Sequence, residues 1–179
     1  MSESQRVRLT KRLLKEALIS LLRKKRIEKV TIKEICKTAE INRTTFYKYY
    51  QDEYALLKEI EDIAIFKLNE NIDNDISPYE TIKGLLTYIS ENVITFKVLF
   101  SNNVDLNFAQ KIFNIPKIYD QIEKNLKNQY NTNEIKKFTC FITNGGYSLV
   151  KEWIYNDNPE SVEDMSKIII KIISNSINM

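Results

Sequence analysis

The chain has 179 residues with only 3 Gly and 3 Pro, and its formal net charge is +3. That length holds one large or two small domains with a real core, and so few breakers argue against a turn-rich β fold. Histidine is absent, which removes His general bases, Ser-His and Cys-His pairs and the commonest metal ligand.

The three glycines, Gly84, Gly145 and Gly146, lie in helical patterns, so no Gly-rich phosphate loop exists. The acidic residues show no paired spacing suited to catalysis. An enzyme reading finds no support, and no catalytic residue, metal or cofactor is expected. Cys36 and Cys140 lie far apart in helical patterns and read as buried thiols of a reducing compartment. No apolar signal region follows the charged start, and no apolar run reaches membrane-spanning length. A soluble, cytoplasmic protein with no membrane partner is the expectation.

Charge is unevenly placed. Residues 1–50 hold 14 Lys/Arg against 5 Asp/Glu, and residues 51–179 hold 13 against 19. A basic first module on an acidic remainder is the footprint of a protein that meets a polyanion at one end.

Residues 4–24 carry Leu14, Ala17, Leu18, Leu21 and Leu22 at the spacing of one apolar helical stripe. Arg23-Lys24-Lys25-Arg26 then suits the negative end of that helix. Thr31-Ile32-Lys33-Glu34 has the form of a capping box, with Val30 and Ile35 at the two staple positions. A helix over 32–39 would bury Ile35, Cys36 and Ala39. Asn42 is a good N-cap for a second helix over 43–50. Phe46 and Tyr50 would face inward, leaving Arg43, Thr44, Thr45, Tyr47, Lys48 and Tyr49 outward or lateral. This is a helix-turn-helix, whose second helix enters a major groove.

TIKEICKTAEINRTTFYKYY followed by QDEYALLKEI resembles the DNA-binding segment of the TetR/AcrR family of bacterial transcriptional regulators. The Phe46-Tyr47-x-Tyr49-Tyr50 run and the Leu56-Leu57 pair match best, and the resemblance covers residues 10–60. It implies an all-α protein of about nine helices. A three-helix DNA-binding head would span residues 1–51, and a helical ligand-binding and dimerisation body residues 52–179.

The resemblance places phosphate contacts at Thr31, Thr45, Tyr47 and Tyr49. Arg43, Thr44 and Lys48 are the candidates for base edges, Arg43 pairing with guanine O6 and N7. Two departures stand out. Glu40 occupies the turn position where the family mostly has Gly, and Glu53 occupies the place of a common phosphate-contacting Lys.

Asp52 would cap a fourth helix over 53–70, a lever between head and body. Ser77-Pro78-Tyr79-Glu80 starts a helix over 78–91, and 101–103 reads as a loop. A short helix over 108–113 precedes Pro116, which opens another to about 130. Asn133 or Thr132 would cap a helix over 134–155, and Ser161-x-x-Asp164 starts the last.

The last two helices carry more apolar surface than a small body needs. By resemblance they form a four-helix interface with a second copy, through Phe138, Ile142, Gly145, Gly146, Leu149, Trp153, Met165, Ile169, Ile172 and Ile173. Gly145-Gly146 inside a helix suggests close approach of another backbone. Candidate pocket residues are Phe66, Phe96, Phe100, Phe108, Phe113 and Tyr119, although aromatics at helical spacing also build cores.

The partners expected are a palindromic double-stranded DNA operator, a homodimer mate and a small-molecule effector that releases a repressor. Two alternatives stay open. In one, control comes from a partner protein, since Gly145-Gly146 and Lys151-Glu152-Trp153 resemble the regulators of dihydroxyacetone kinase operons, some of which are activators. In the other, the chain is a helical interaction protein whose basic end touches a membrane or an acidic partner.

Overall fold

The computed structural model describes residues 5–73, 75–104, 108, 111–112, 115–156 and 160–177. Among them are nine α-helices, one short 3-10 turn and no strand. In order they are α1 (Gln5–Leu22), the 3-10 turn (Ile27–Lys29), α2 (Ile32–Ala39), α3 (Arg43–Tyr47), α4 (Glu53–Glu70) and α5 (Pro78–Glu91). Then come α6 (Val93–Leu99), α7 (Pro116–Leu126), α8 (Thr132–Tyr155) and α9 (Val162–Ile177). The all-α expectation holds.

Two compact units divide the chain, and neither is continuous in sequence. The first takes Met1–Ala64 together with Val98–Leu106, and the second takes Ile65–Lys97 with Asn107–Met179. The first unit therefore does not stop at residue 51. Leu56, Leu57, Ile60 and Ala64 are buried, so the first half of α4 completes the core of the basic module.

In that unit α1 packs on α2 and α2 on α3, around Leu14, Leu18, Leu22, Ile27, Ile35 and Phe46, all nearly or fully buried. Lys11 and Lys15 on α1 reach Glu59 on α4 at 3.7 and 3.4 Å. Partly exposed pairs of this kind are worth at most about 1 kcal/mol. The apolar contact dominates.

The local start signals are satisfied one by one. Ser77 accepts from the Glu80 amide at 3.2 Å ahead of Pro78 at the first helical position. For α8 the cap is Asn131, not Asn133 or Thr132: its side chain accepts from Asn133 and Glu134, and Glu134 accepts from the Asn131 amide in return. Asp164 donates its amide to Ser161 Oγ at 3.1 Å at the start of α9.

Within the second unit α5 lies along α9, and α8 packs against α7 and α9. Trp153 donates its indole N–H to the Glu160 carbonyl at 2.8 Å, joining the end of α8 to the approach of α9. Lys117 donates to the carbonyls of Asn69 and Ile72, at 3.2 and 3.1 Å. This sets a cation at the negative end of α4.

Three further sequence expectations shift, and a fourth falls outside the described residues. The recognition helix ends at Tyr47 rather than at 50, because Tyr49 donates to Phe46 in a tight turn. Helix α7 ends at Leu126 rather than near 130. Cys36 is buried as expected, but Cys140 is exposed on α8. The short helix expected over 108–113, and with it Phe113, falls largely or wholly outside the described residues.

Candidate nucleic-acid interface

The helix-turn-helix forms from short-range chemistry. Thr31 Oγ accepts from the Glu34 amide at 3.3 Å, while the Glu34 carboxylate accepts from the Thr31 amide at 3.0 Å and its hydroxyl at 2.8 Å. Lys25 adds a 2.6 Å ion pair to the same carboxylate. The Lys25 ammonium first, then the Thr31 hydroxyl and amide, hold Glu34 down from 4.5 to about 2. Thr31 is thus committed to the cap, and its hydroxyl hydrogen already has an acceptor.

Glu40 closes α2 in the left-handed conformation, with φ 55° and ψ 38°, and its amide donates to Cys36 and Lys37. The backbone demands the conformation that glycine adopts freely. The sequence departure at this position is a strained one.

Asn42 caps α3 by accepting from the Thr44 amide at 2.9 Å. Phe46 is fully buried, its ring edge-on to Tyr47 at 5.7 Å and tilted on Tyr50 at 5.6 Å. With Phe46 and Tyr50 locked inward, Arg43, Thr44, Tyr47 and Lys48 are exposed on one short segment, and Thr45 and Tyr49 are half-buried beside them. Tyr47 is 52% exposed although aromatic. The seven positions expected to meet DNA are therefore Thr31 at the α2 cap and every residue from Arg43 to Tyr49 except Phe46.

A residue that sequence reasoning left unassigned joins this surface. The Lys11 ammonium lies 6.0 Å from the Tyr49 ring centroid while also reaching Glu59. Lys11 lies outside the apolar stripe of Leu14, Ala17, Leu18, Leu21 and Leu22 on α1.

The start of α4 has the opposite charge. Asp52 accepts from the Ala55 amide at 2.7 Å. The Tyr54 hydroxyl is pushed up by desolvation and then by the charges of Glu28, Glu53 and Asp52. These carboxylates make the start of α4 an acidic border to the basic segment. A phosphate there would meet repulsion.

Of the candidate pocket residues, Phe113 lies outside the described residues. Phe96, Phe100 and Phe108 are buried, whereas Phe66 is 58% and Tyr119 40% exposed. Phe100 belongs to the first unit and Phe96 to the second.

The residues expected between protomers also divide. Trp153, Met165 and Ile169 are buried in the chain's own core, which removes them from any surface. Phe138, Ile142, Leu149 and Ile173 are half-buried, with the Phe138 ring tilted against Tyr130, centroids 4.6 Å apart. Ile172 is 40% exposed, and Phe141 and Ile168, absent from the sequence expectation, are 59% and 37% exposed. A Cβ placed on Gly145 or Gly146 would meet nothing within 4 Å. No contact within the described chain requires those two glycines.

A family model described as a transcriptional regulator C-terminal region, of the TetR type, matches residues 77–175. The chain belongs to the TetR family of transcriptional regulators. This TetR-family chain is 27% identical over 137 residues to the HTH-type dhaKLM operon transcriptional activator DhaS of Lactococcus lactis, covering 74% of this chain and 72% of that protein. It is also 24% identical over 169 residues to YxbF, an uncharacterized HTH-type transcriptional regulator of Bacillus subtilis. That match takes 89% of this chain but 43% of YxbF, so the chain spans less than half of that relative's length. Its fold is like that of a TetR transcriptional regulator from Streptococcus agalactiae, with a TM-score of 0.70 at 21% identity, covering 94% and 96% of the two chains. Among the described residues of this TetR-family chain, no helix is long and apolar enough to cross a membrane.

Proposed function

We propose that this TetR-family chain is a sequence-specific DNA-binding regulator that acts as a homodimer on a palindromic operator. The observation that carries this reading is the exposed Arg43, Thr44, Tyr47 and Lys48 set on a capped helix pinned from behind by Phe46. Arg43 is assigned to a guanine edge, with Thr44 and Lys48 beside it. Thr45, Tyr47 and Tyr49 are assigned to phosphates, which fix register without reading sequence. Thr31 serves the same surface by holding the start of α2. The first 50 residues, with 14 basic against 5 acidic side chains, supply the long-range attraction.

The mate is assigned to the exposed side of α8 and α9. Phe141, Gly145 and Ser148 follow one another at steps of four and three, the spacing of one helix face. Two glycines inside a helix cost about 1 kcal/mol each relative to alanine. Among the described residues no close contact offsets that cost, and a second backbone lying close would. A two-fold pair places its recognition helices about 34–36 Å apart, one turn of duplex.

The regulatory reading is a repressor released when a small molecule binds better to the state in which the heads stand off that spacing. A second reading, control by a partner protein, is favoured by the exposed Phe66 and Ile94, 58% and 53% accessible, and by similarity to an activator. Thermal shifts with a metabolite panel at fixed protein concentration separate them: a shift marks a small-molecule effector, and its absence beside a co-purifying protein marks the second reading.

Selection of bound sequences from random duplex tests the function itself. The expected product is a two-fold-related pair of half-sites one turn apart. Recovery of unrelated sequences would reject the reading.

A further inference from the structure

The connection between the two ends of the Arg23-Lys24-Lys25-Arg26 linker comes from a distant part of the chain. Val98–Leu106 belongs to the first compact unit although α5 and most of α6 precede it in the second. In this stretch Val98, Leu99, Phe100 and Val104 are all buried. Asn103 makes two bonds into the head. Its side-chain amide donates to the Leu22 carbonyl at 2.9 Å, one of the last carbonyls of α1 that has no partner within the helix. Its own carbonyl accepts from the Ile27 amide at 2.9 Å, at the first residue of the 3-10 turn.

One residue thus grips both ends of the linker that leads from α1 to the helix-turn-helix. Asn103 is itself held: its amide donates to Ser101 Oγ at 3.1 Å, and that hydroxyl donates to the Val98 carbonyl at 2.7 Å. From the gripped linker, Lys25 reaches Glu34, the acid of the capping box that starts α2. The path runs Asn103, linker, Lys25, Glu34, Thr31, and each step is a hydrogen bond or ion pair at 3.3 Å or less.

We infer that Asn103 is a positioning residue for DNA recognition: by clasping residues 22–27 it fixes the angle at which α2 and α3 leave α1. The inference rests on the DNA-binding reading above and deepens it. The clasp lies wholly within the first unit, which the chain rejoins at Val98 after residues 65–97.

The test compares wild type, Asn103→Ala and Ser101→Ala on the selected operator and on a scrambled duplex of equal length. Loss of the side-chain bond weakens operator binding about tenfold while scrambled-duplex binding stays within about twofold, since a hydrogen bond of this kind carries roughly that factor and the basic charge is unchanged. Asn103→Ala also broadens tolerance to half-site spacing, which a loss of folded protein would not do. Ser101→Ala, milder because Asn103 remains, shifts in the same direction and decides the matter if Asn103→Ala unfolds.

Hydrogen exchange at the Ile27 amide reports the clasp without DNA, and is faster in both variants. Operator binding and spacing preference equal to wild type in both variants would overturn the inference. If wild type itself fails to prefer the operator, the DNA-binding reading fails instead. Unchanged Ile27 exchange in the variants would independently remove the clasp.

Discussion

The first unit and the α8–α9 face of the second solve opposite problems. In the first, the apolar side chains of the helix-turn-helix are inside: Ile35 and Phe46 are fully buried, with Val30 and Tyr50 nearly so. What it exposes on α3 is Arg43, Thr44, Tyr47 and Lys48, groups suited to a polar, anionic partner. On α8 and α9 the outward side chains include Phe141, Ile168 and Ile172, and two glycines stand over open space. A surface whose hydrophobic work is complete advertises a polyanion; one left apolar advertises another protein surface. The same chain carries both, as the proposed dimeric DNA reader requires.

The largest expected effect breaks the first side of this contrast. Phe46→Ala removes the fully buried ring on which α3 is held and should cost about 3–5 kcal/mol. Hydrogen exchange should show α2 and α3 losing protection while α5 and α9 keep theirs. Equal loss in both units would mean that they do not fold as separate cores.

The next effect addresses the second side. Gly145→Glu places a side chain where the protomer has room and replaces a poor helix former with a better one. The protomer should hold or gain helix stability while self-association weakens by about 2 kcal/mol, the scale of a central interface residue. Sedimentation equilibrium reads the association and thermal melting the helix. An undiminished dimer would place the mate elsewhere.

Glu40→Gly sharpens the description of the turn. It relieves the left-handed strain at φ 55° and should stabilise the first unit by about 1 kcal/mol. Chemical denaturation of the two proteins measures the difference, and a destabilised glycine variant would contradict the strain argument.

The smallest effect is the pH dependence of the Glu34 cap. Its carboxyl is held down from 4.5 to about 2, chiefly by Lys25, so its contribution is present above the ordinary pKa and fades as pH falls from about 4.5 toward 2. Glu34 is solvent-screened, so the slope is shallow. Glu34→Gln should flatten the acid limb of a stability–pH curve, and an unaltered limb would show that the pair contributes nothing.

What could be read from sequence follows the range of the interaction. Thr31 with Glu34, Asn42 with Thr44 and Ser77 with Glu80 are two or three residues apart, and each helix start was visible for that reason. The end of α3 was not, because Lys48, Tyr49 and Tyr50 continue a helical pattern while the backbone tightens into a turn. The apolar spacing of α8 and α9 marks hydrophobic residues without saying which face their own chain. Trp153, Met165 and Ile169 went inside, and Phe141 stayed out. The clasp at Asn103 was hidden most completely, since its partner Leu22 lies 81 residues away and no spacing rule links them.

The proposed function rests on the exposed segment of α3 reading sequence. The most direct measurement is a salt series of wild type and Arg43→Ala on the selected operator and a scrambled duplex. Wild type should keep the operator at salt that strips the scrambled duplex, and Arg43→Ala should lose about 1–3 kcal/mol of that preference while binding scrambled DNA almost as before. Identical binding of both duplexes by both proteins at every salt concentration would contradict it.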